Sequence, residues 1–162
     1  GLVTALQAKL DGARVLVLEK TAESRTGGNS RVSGGSFLVP MEDTPAGRDA
    51  YYQDMLKKSM GRGPADLYRV LADRAHEGMA WLRNQGGEFL PLRQQPPYRA
   101  GQFTAGPAMY FGMPKLLATL RKKFLDAGGK LAYETKAQQL VVTAKGRVGG
   151  VRAVDREGLV DF

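Results

Sequence analysis

The stretch "ARVLVLEKTAESRTGGNSRVSGG", Ala13–Gly35, sets an apolar run, an acidic residue and a small-residue loop one after another. Val15 to Leu18 are apolar without a polar break, so Arg14–Leu18 predicts a buried strand. Upstream, Leu2, Val3, Ala5, Leu6 and Leu10 recur at helical spacing, and Asp11-Gly12 closes the segment where a helix would end. A helix, a short link and a buried strand make half of a parallel α/β unit, whose other half would be a strand before Gly1. Glu19 then stands at the carboxyl end of that strand, where open α/β sheets take ligands.

Downstream, Thr21–Pro40 is rich in Gly, Ser and Thr and reads as an extended functional loop. A helix is predicted over Pro45–Met60, with Tyr52, Met55, Leu56 and Met60 on or near one face. Pro64 can begin the next, whose apolar set Leu67, Val70, Leu71, Ala75, Met79 and Leu82 keeps the helical period up to Gly86-Gly87, with Gly87 suited to its end. Pro91–Gly112 reads as an irregular, long loop, and Pro114–Ala127 as an amphipathic helix ended by Gly128-Gly129. Lys130–Thr135, Gln139–Thr143 and Val148–Val154 turn to strand character, with Lys145-Gly146 as a turn. Gly1 opens directly into a helix and Gly158–Phe162 starts a strand that stops, which reads as a fragment of a longer polypeptide.

The 162 residues suffice for one domain with a core, and 43% hydrophobic with 25% charged residues is ordinary for a folded protein. The absence of cysteine excludes disulfides and thiolate chemistry in this chain, and a lone histidine, His76, argues against a self-contained zinc site; no metal is expected. With no long apolar stretch and no secretory pattern at Gly1–Leu10, a cytoplasmic protein is the expectation. The net charge of +8 invites nucleic acid, but the basic residues are scattered and lack a recognition-helix or aromatic-basic pattern, so nucleic acid is not an expected partner. His76 reads as a surface or helix–helix hydrogen-bonding residue and Trp81 as packing.

In a dinucleotide-binding unit, an acidic residue at the place of Glu19 accepts hydrogen bonds from the two ribose hydroxyls. Its distance from Gly1 fits the customary spacing of roughly 20 residues from the first glycine if Gly1 is the last glycine of G-x-G-x-x-G. The alternative is a polar residue closing a strand and facing water. Gly27-Gly28-Asn29-Ser30 can turn the backbone sharply and present N–H groups, an amide and a hydroxyl to an anion, and Ser33-Gly34-Gly35 adds a further hydroxyl and close approach. The alternative there is a loop and nothing more.

Glu19-Lys20 followed by Gly27-Gly28-Asn29-Ser30 and Ser33-Gly34-Gly35 resembles the FAD-binding domain of the fumarate reductase and succinate dehydrogenase flavoprotein superfamily. Arg25-Thr26 and the Trp81-Leu82-Arg83-x-Gln85-Gly86 segment are similar to its tricarballylate dehydrogenase branch, and Val39-Pro40 also to related ketosteroid dehydrogenases. The resemblance implies an α/β, incomplete Rossmann-like FAD-binding domain with a helical insertion and C-terminal β strands. Residues 1–40 would be the dinucleotide-binding core, 41–111 a helical and loop insertion, and 112–162 a return helix and adenine-side strands, with the cap domain absent.

The same resemblance implies roles. Gly1 would be the final glycine of the fingerprint, Glu19 the ribose carboxylate and Lys20 its neighbour near the adenosine. Gly27, Gly28, Asn29 and Ser30 would wrap the pyrophosphate, Ser33, Gly34 and Gly35 would lie beside the isoalloxazine, and the backbone at Ala137 would meet adenine. Arg99 is the candidate for a substrate carboxylate, and the catalytic residues are not assigned. The implied function is hydride transfer between FAD and a small polycarboxylate, with an electron-transfer partner for the full-length enzyme. The fragment itself is expected to be inactive, to associate through exposed sheet edges, and to leave FAD retention open. The competing readings are a ketosteroid dehydrogenase-like flavoenzyme, a pyridine-nucleotide enzyme and a nonenzymatic nucleotide-binding module.

Overall fold

A computed structural model describes residues 1–94 and 112–162 and the backbone of 100–104. The chain divides into two compact units, Gly1–Gly28 with Leu120–Phe162, and Asn29–Thr119.

In the first unit, helix α1 (Leu2–Leu10) ends at Asp11, and Gly12 leaves it at φ +89°, a conformation that favours glycine. Ala5 and Leu6 are its buried residues. Strand β1 is Leu16–Leu18, shorter than the predicted Arg14–Leu18, and it is not fully buried: Leu16 is exposed while Val17 and Leu18 are half-buried. The reason is pairing, since among the described residues β1 has one strand neighbour, β5 (Lys130–Ala132), in parallel register Leu16↔Lys130 to Leu18↔Ala132. Helix α5 (Gly112–Asp126) feeds β5 through Gly128, at φ +81°, and Gly129. Its residues Leu120 and Phe124 lie in the core of this unit. A helix leading into each of two parallel strands is the Rossmann-like α/β arrangement. Strands β6 (Lys136–Val142), β7 (Val148–Val154) and β8 (Leu159–Asp161) form an antiparallel sheet in the order β6-β7-β8, with Gly146 at φ +73° in the predicted turn.

The stretch read as one loop over Thr21–Pro40 holds more structure than its composition suggests. It contains a single turn of 3-10 helix at Glu23–Arg25, a short helix α2 (Gly28–Val32) and strand β2 (Ser36–Pro40). Strand β2 exists because the non-local strand β4 (Ala100–Thr104) pairs with it antiparallel, and β3 (Arg93–Gln94) pairs on the far side of β4. These two strands also lie inside the segment read as irregular.

Within the second unit, helix α3 (Pro45–Lys58) starts at Thr44, whose Oγ1 accepts from the Gly47 N–H at 3.1 Å, with Pro45 in the first turn. Its buried residue is Tyr51, with Tyr52 and Met55 of the expected face packed beside it, while Met60 lies past the helix end and is 73% exposed. Helix α4 (Ala65–Asn84) buries Ala72, Met79 and Leu82, leaving Leu67, Val70 and Leu71 exposed. Tyr51 and Ala72 form a core cluster with Leu38, Tyr52 and Met55 packed against it. The left-handed residue after α4 is Gly86, at φ +87°, where Gly87 was expected. Gly87 has a different reason for being glycine, because a Cβ there would sit 2.8 Å from the Leu82 carbonyl and from the Phe89 ring. His76 Nε2 lies 2.8 Å from the Pro40 carbonyl oxygen, so it bonds a strand and not another helix.

Candidate cofactor site

Glu19 follows β1 directly. Its backbone N–H donates to the Ala132 carbonyl at 2.8 Å and its own carbonyl accepts from Thr135 N–H at 3.0 Å, which carries the parallel ladder past the last strand residue. The Glu19 side chain is half-buried, and its Oε1 accepts from the Thr21 N–H at 2.8 Å and from the Thr21 hydroxyl at 2.9 Å. A carboxylate offers about four lone-pair sites, so two bonds at Oε1 leave acceptor capacity for hydroxyl donors. Thr21 is the partner of Glu19 that sequence reading missed. The signal was a Glu-x-Thr spacing, which lets a hydroxyl and an N–H two residues on return to the acidic side chain.

The carboxyl end of the β1/β5 pair carries further polar groups. The Thr21 carbonyl accepts from Glu134 N–H at 3.1 Å, and Glu134, held at φ +53°, is ion-paired with Arg156. Arg121 Nη1 lies 3.0 Å from Glu23 Oε1, and it donates to the Tyr133 hydroxyl at 3.4 Å. Buried Thr135 satisfies its hydroxyl on the Tyr133 carbonyl at 2.9 Å. Two residues on, Ala137 is exposed on β6, an edge strand whose register with β7 shifts between Ala137 and Gln139. A methyl side chain on an exposed strand edge leaves room for a planar ring. The bond from Thr135 to Glu19 therefore joins the start of β6 to the acidic residue.

Lys20 is exposed beside Glu19. Gly1 supplies the first carbonyl of α1, accepting from Ala5 N–H at 2.9 Å, and a Cβ on it would meet nothing within 4 Å. Gly27 and Gly28 stand at φ +108° and +50°, so the sharp turn read there is present and needs glycine. Asn29, Ser30, Ser33, Gly34 and Gly35 belong to the second unit, where the Ser33 hydroxyl donates to the Ser30 carbonyl at 3.1 Å and Gly35 is buried at φ +72°. Arg99 lies outside the described residues. Among the described residues no three His, Asp or Glu side chains gather to hold a metal, and no helix is long and apolar enough to cross a membrane.

These groups are of the kind that can hold the adenosine and pyrophosphate of a dinucleotide: an acidic acceptor at a parallel strand's carboxyl end, an open strand edge and two consecutive left-handed glycines. The FAD binding domain family matches residues 1–162. The chain belongs to that family. FAD is accordingly the cofactor of this domain, and the likeness to fumarate reductase flavoproteins holds. An acrylate reductase flavoprotein subunit from Shewanella woodyi is 36% identical over 104 residues, covering 59% of this chain and 20% of its own length. A probable fumarate reductase from Shewanella frigidimarina is 25% identical over 148 residues, covering 88% of this chain and 25% of its own length. The crystal structure of a 3-ketosteroid dehydrogenase from Rhodococcus jostii shares the fold with a TM-score of 0.83 at 21% identity, over 99% of this chain and 41% of that one. The FAD binding domain described here thus spans about a quarter of the length of the curated relatives it matches.

Proposed function

We propose that this chain is the FAD-holding part of an oxidoreductase acting on a small polycarboxylate of the succinate/fumarate or tricarballylate kind. The observation that carries the reading is the family match over residues 1–162, taken with a relative named as a probable fumarate reductase. Bound FAD supplies hydride transfer to or from a substrate carbon, while a proton is exchanged at the adjacent carbon as C=C and CH–CH interconvert.

The chain's own residues bind and orient. Glu19 accepts from the ribose hydroxyls, with Lys20 beside the adenosine and the Ala137 backbone against adenine. Gly27, Gly28, Asn29 and Ser30 wrap the pyrophosphate, Gly1 closes the glycine fingerprint, and Ser33, Gly34 and Gly35 lie beside the flavin ring. Arg99 meets a substrate carboxylate. Residues 1–40 act as the dinucleotide core, 41–111 as the insertion and 112–162 as the return helix and adenine-side strands. Turnover and electron delivery belong to the whole protein, and this chain alone does not turn over substrate. The relative from Shewanella woodyi is itself named a flavoprotein subunit, which supports an electron-transfer partner.

The test is an absorption spectrum of the purified chain after FAD has been added and the excess removed. A retained flavin band with shifted peaks is expected, and a colourless protein overturns the assignment of these residues. For the whole protein, reoxidation of the reduced flavin by fumarate is expected, and reoxidation by acrylate alone would replace the polycarboxylate with a monocarboxylate. Reoxidation by a 3-ketosteroid and not by the carboxylates would replace the substrate class.

A further inference from the structure

Glu19 stands where β1 ends, and an acidic side chain at a strand end has several rotamers open to it. Here one oxygen is tied by two donors from a single residue, the Thr21 N–H at 2.8 Å and its hydroxyl at 2.9 Å. Thr21 is in turn held from outside the loop, because its carbonyl accepts from Glu134 N–H at 3.1 Å while the Glu19 carbonyl accepts from Thr135 N–H at 3.0 Å. The β5 end therefore fixes the backbone on both sides of the turn, and the hydroxyl adds a bond that a valine of the same shape could not make. Bonds to an ionised acceptor are among the stronger ones, and threonine's branched Cβ restricts its rotamer.

We propose that Thr21 is a positioning residue for the ribose subsite. By occupying Oε1 it holds the Glu19 carboxylate in one orientation and leaves the lone pairs of Oε2 for a vicinal diol. This rests on the FAD reading given under Proposed function. Thr21 touches no cofactor in this account and acts through Glu19.

The test compares Thr21→Val, which removes the hydroxyl bond but keeps the backbone one, with Thr21→Ser, which keeps both. FAD, ADP and 2′,3′-dideoxy-ADP are each titrated against the full chain. The wild type is expected to prefer ADP over the dideoxy analogue. In Thr21→Val that preference and the FAD affinity fall about tenfold, the size of one lost charge-assisted bond, while Thr21→Ser stays within about twofold of the wild type. Unfolding midpoints without ligand identify any variant that is misfolded, and Thr21→Ala then replaces the valine variant. Wild-type binding with an unchanged diol preference in the hydroxyl-less variant overturns the role of Thr21 alone. A wild type that binds neither FAD nor ADP sinks the cofactor seat itself, and this inference with it.

Discussion

The hydroxyl of Tyr51, on α3, donates to the carbonyl of Leu38, on β2, at 3.3 Å. Tyr51 is 1% exposed, so this bond ties a helix to a strand inside a dry cluster. Tyr51→Phe keeps the ring and loses the bond, and is expected to lower stability by about 1 kcal/mol, read by urea unfolding. Burial raises the phenol above its ordinary 10.0. A raised folded-state value means that the contribution is fully present below pH 10.0 and is lost as pH rises through the higher folded value. Alkaline destabilisation should therefore be smaller in the phenylalanine variant than in the wild type.

Gly129 is buried, and a Cβ added to it would overlap the ring of Phe124, itself 0% exposed. Gly129→Ala is expected to cost about 1–3 kcal/mol through overpacking. Gly1→Ala, where a Cβ would meet nothing, should leave thermal unfolding unchanged. Equal effects of the two on the unfolding midpoint would contradict this account of the glycines.

Arg152 holds Asp161 with two bonds of 2.8 Å, across the register position that joins β7 to β8. Those hydrogen bonds lower the Asp161 carboxyl below its ordinary 3.8. The sign is that of a depressed acid: the pair supports β8 above pH 3.8 and ceases to do so as pH falls through the lower folded value. Hydrogen-exchange protection of the β8 amides should drop on acidification in the wild type. In Asp161→Asn it should be lower at neutral pH and flat across the same window.

Glu19→Gln keeps the shape of the side chain but removes the charge that strengthens its bonds to hydroxyl donors. FAD affinity is expected to fall about tenfold, with little change in the unfolding midpoint of the protein without ligand. Fluorescence titration with FAD reads this directly, and unaltered binding would return Glu19 to a polar residue that merely closes a strand.

Helix α1 and its stop were legible in the sequence because helical periodicity and an Asp-Gly close are local properties. So were the acidic residue at the end of β1, the glycine turn at Gly27-Gly28 and the β6–β7 hairpin turn. Strands β2, β3 and β4 were not legible, because a strand that depends on a partner far along the chain carries no strong local signal. The exposure of Leu16 and the burial of Tyr51 depended in the same way on what packs opposite them.

By itself the sequence determined that a parallel α/β unit carries Glu19 at a strand end before a Gly/Ser loop, since order and spacing along one chain suffice for that. Only the tertiary structure decided that Thr135 brings the start of β6 to Glu19 and that Glu134 holds the carbonyl of Thr21. Those bonds form where β5 comes alongside β1, more than a hundred residues away in the chain, and hydrogen-bond geometry of that kind exists only once the chain has folded.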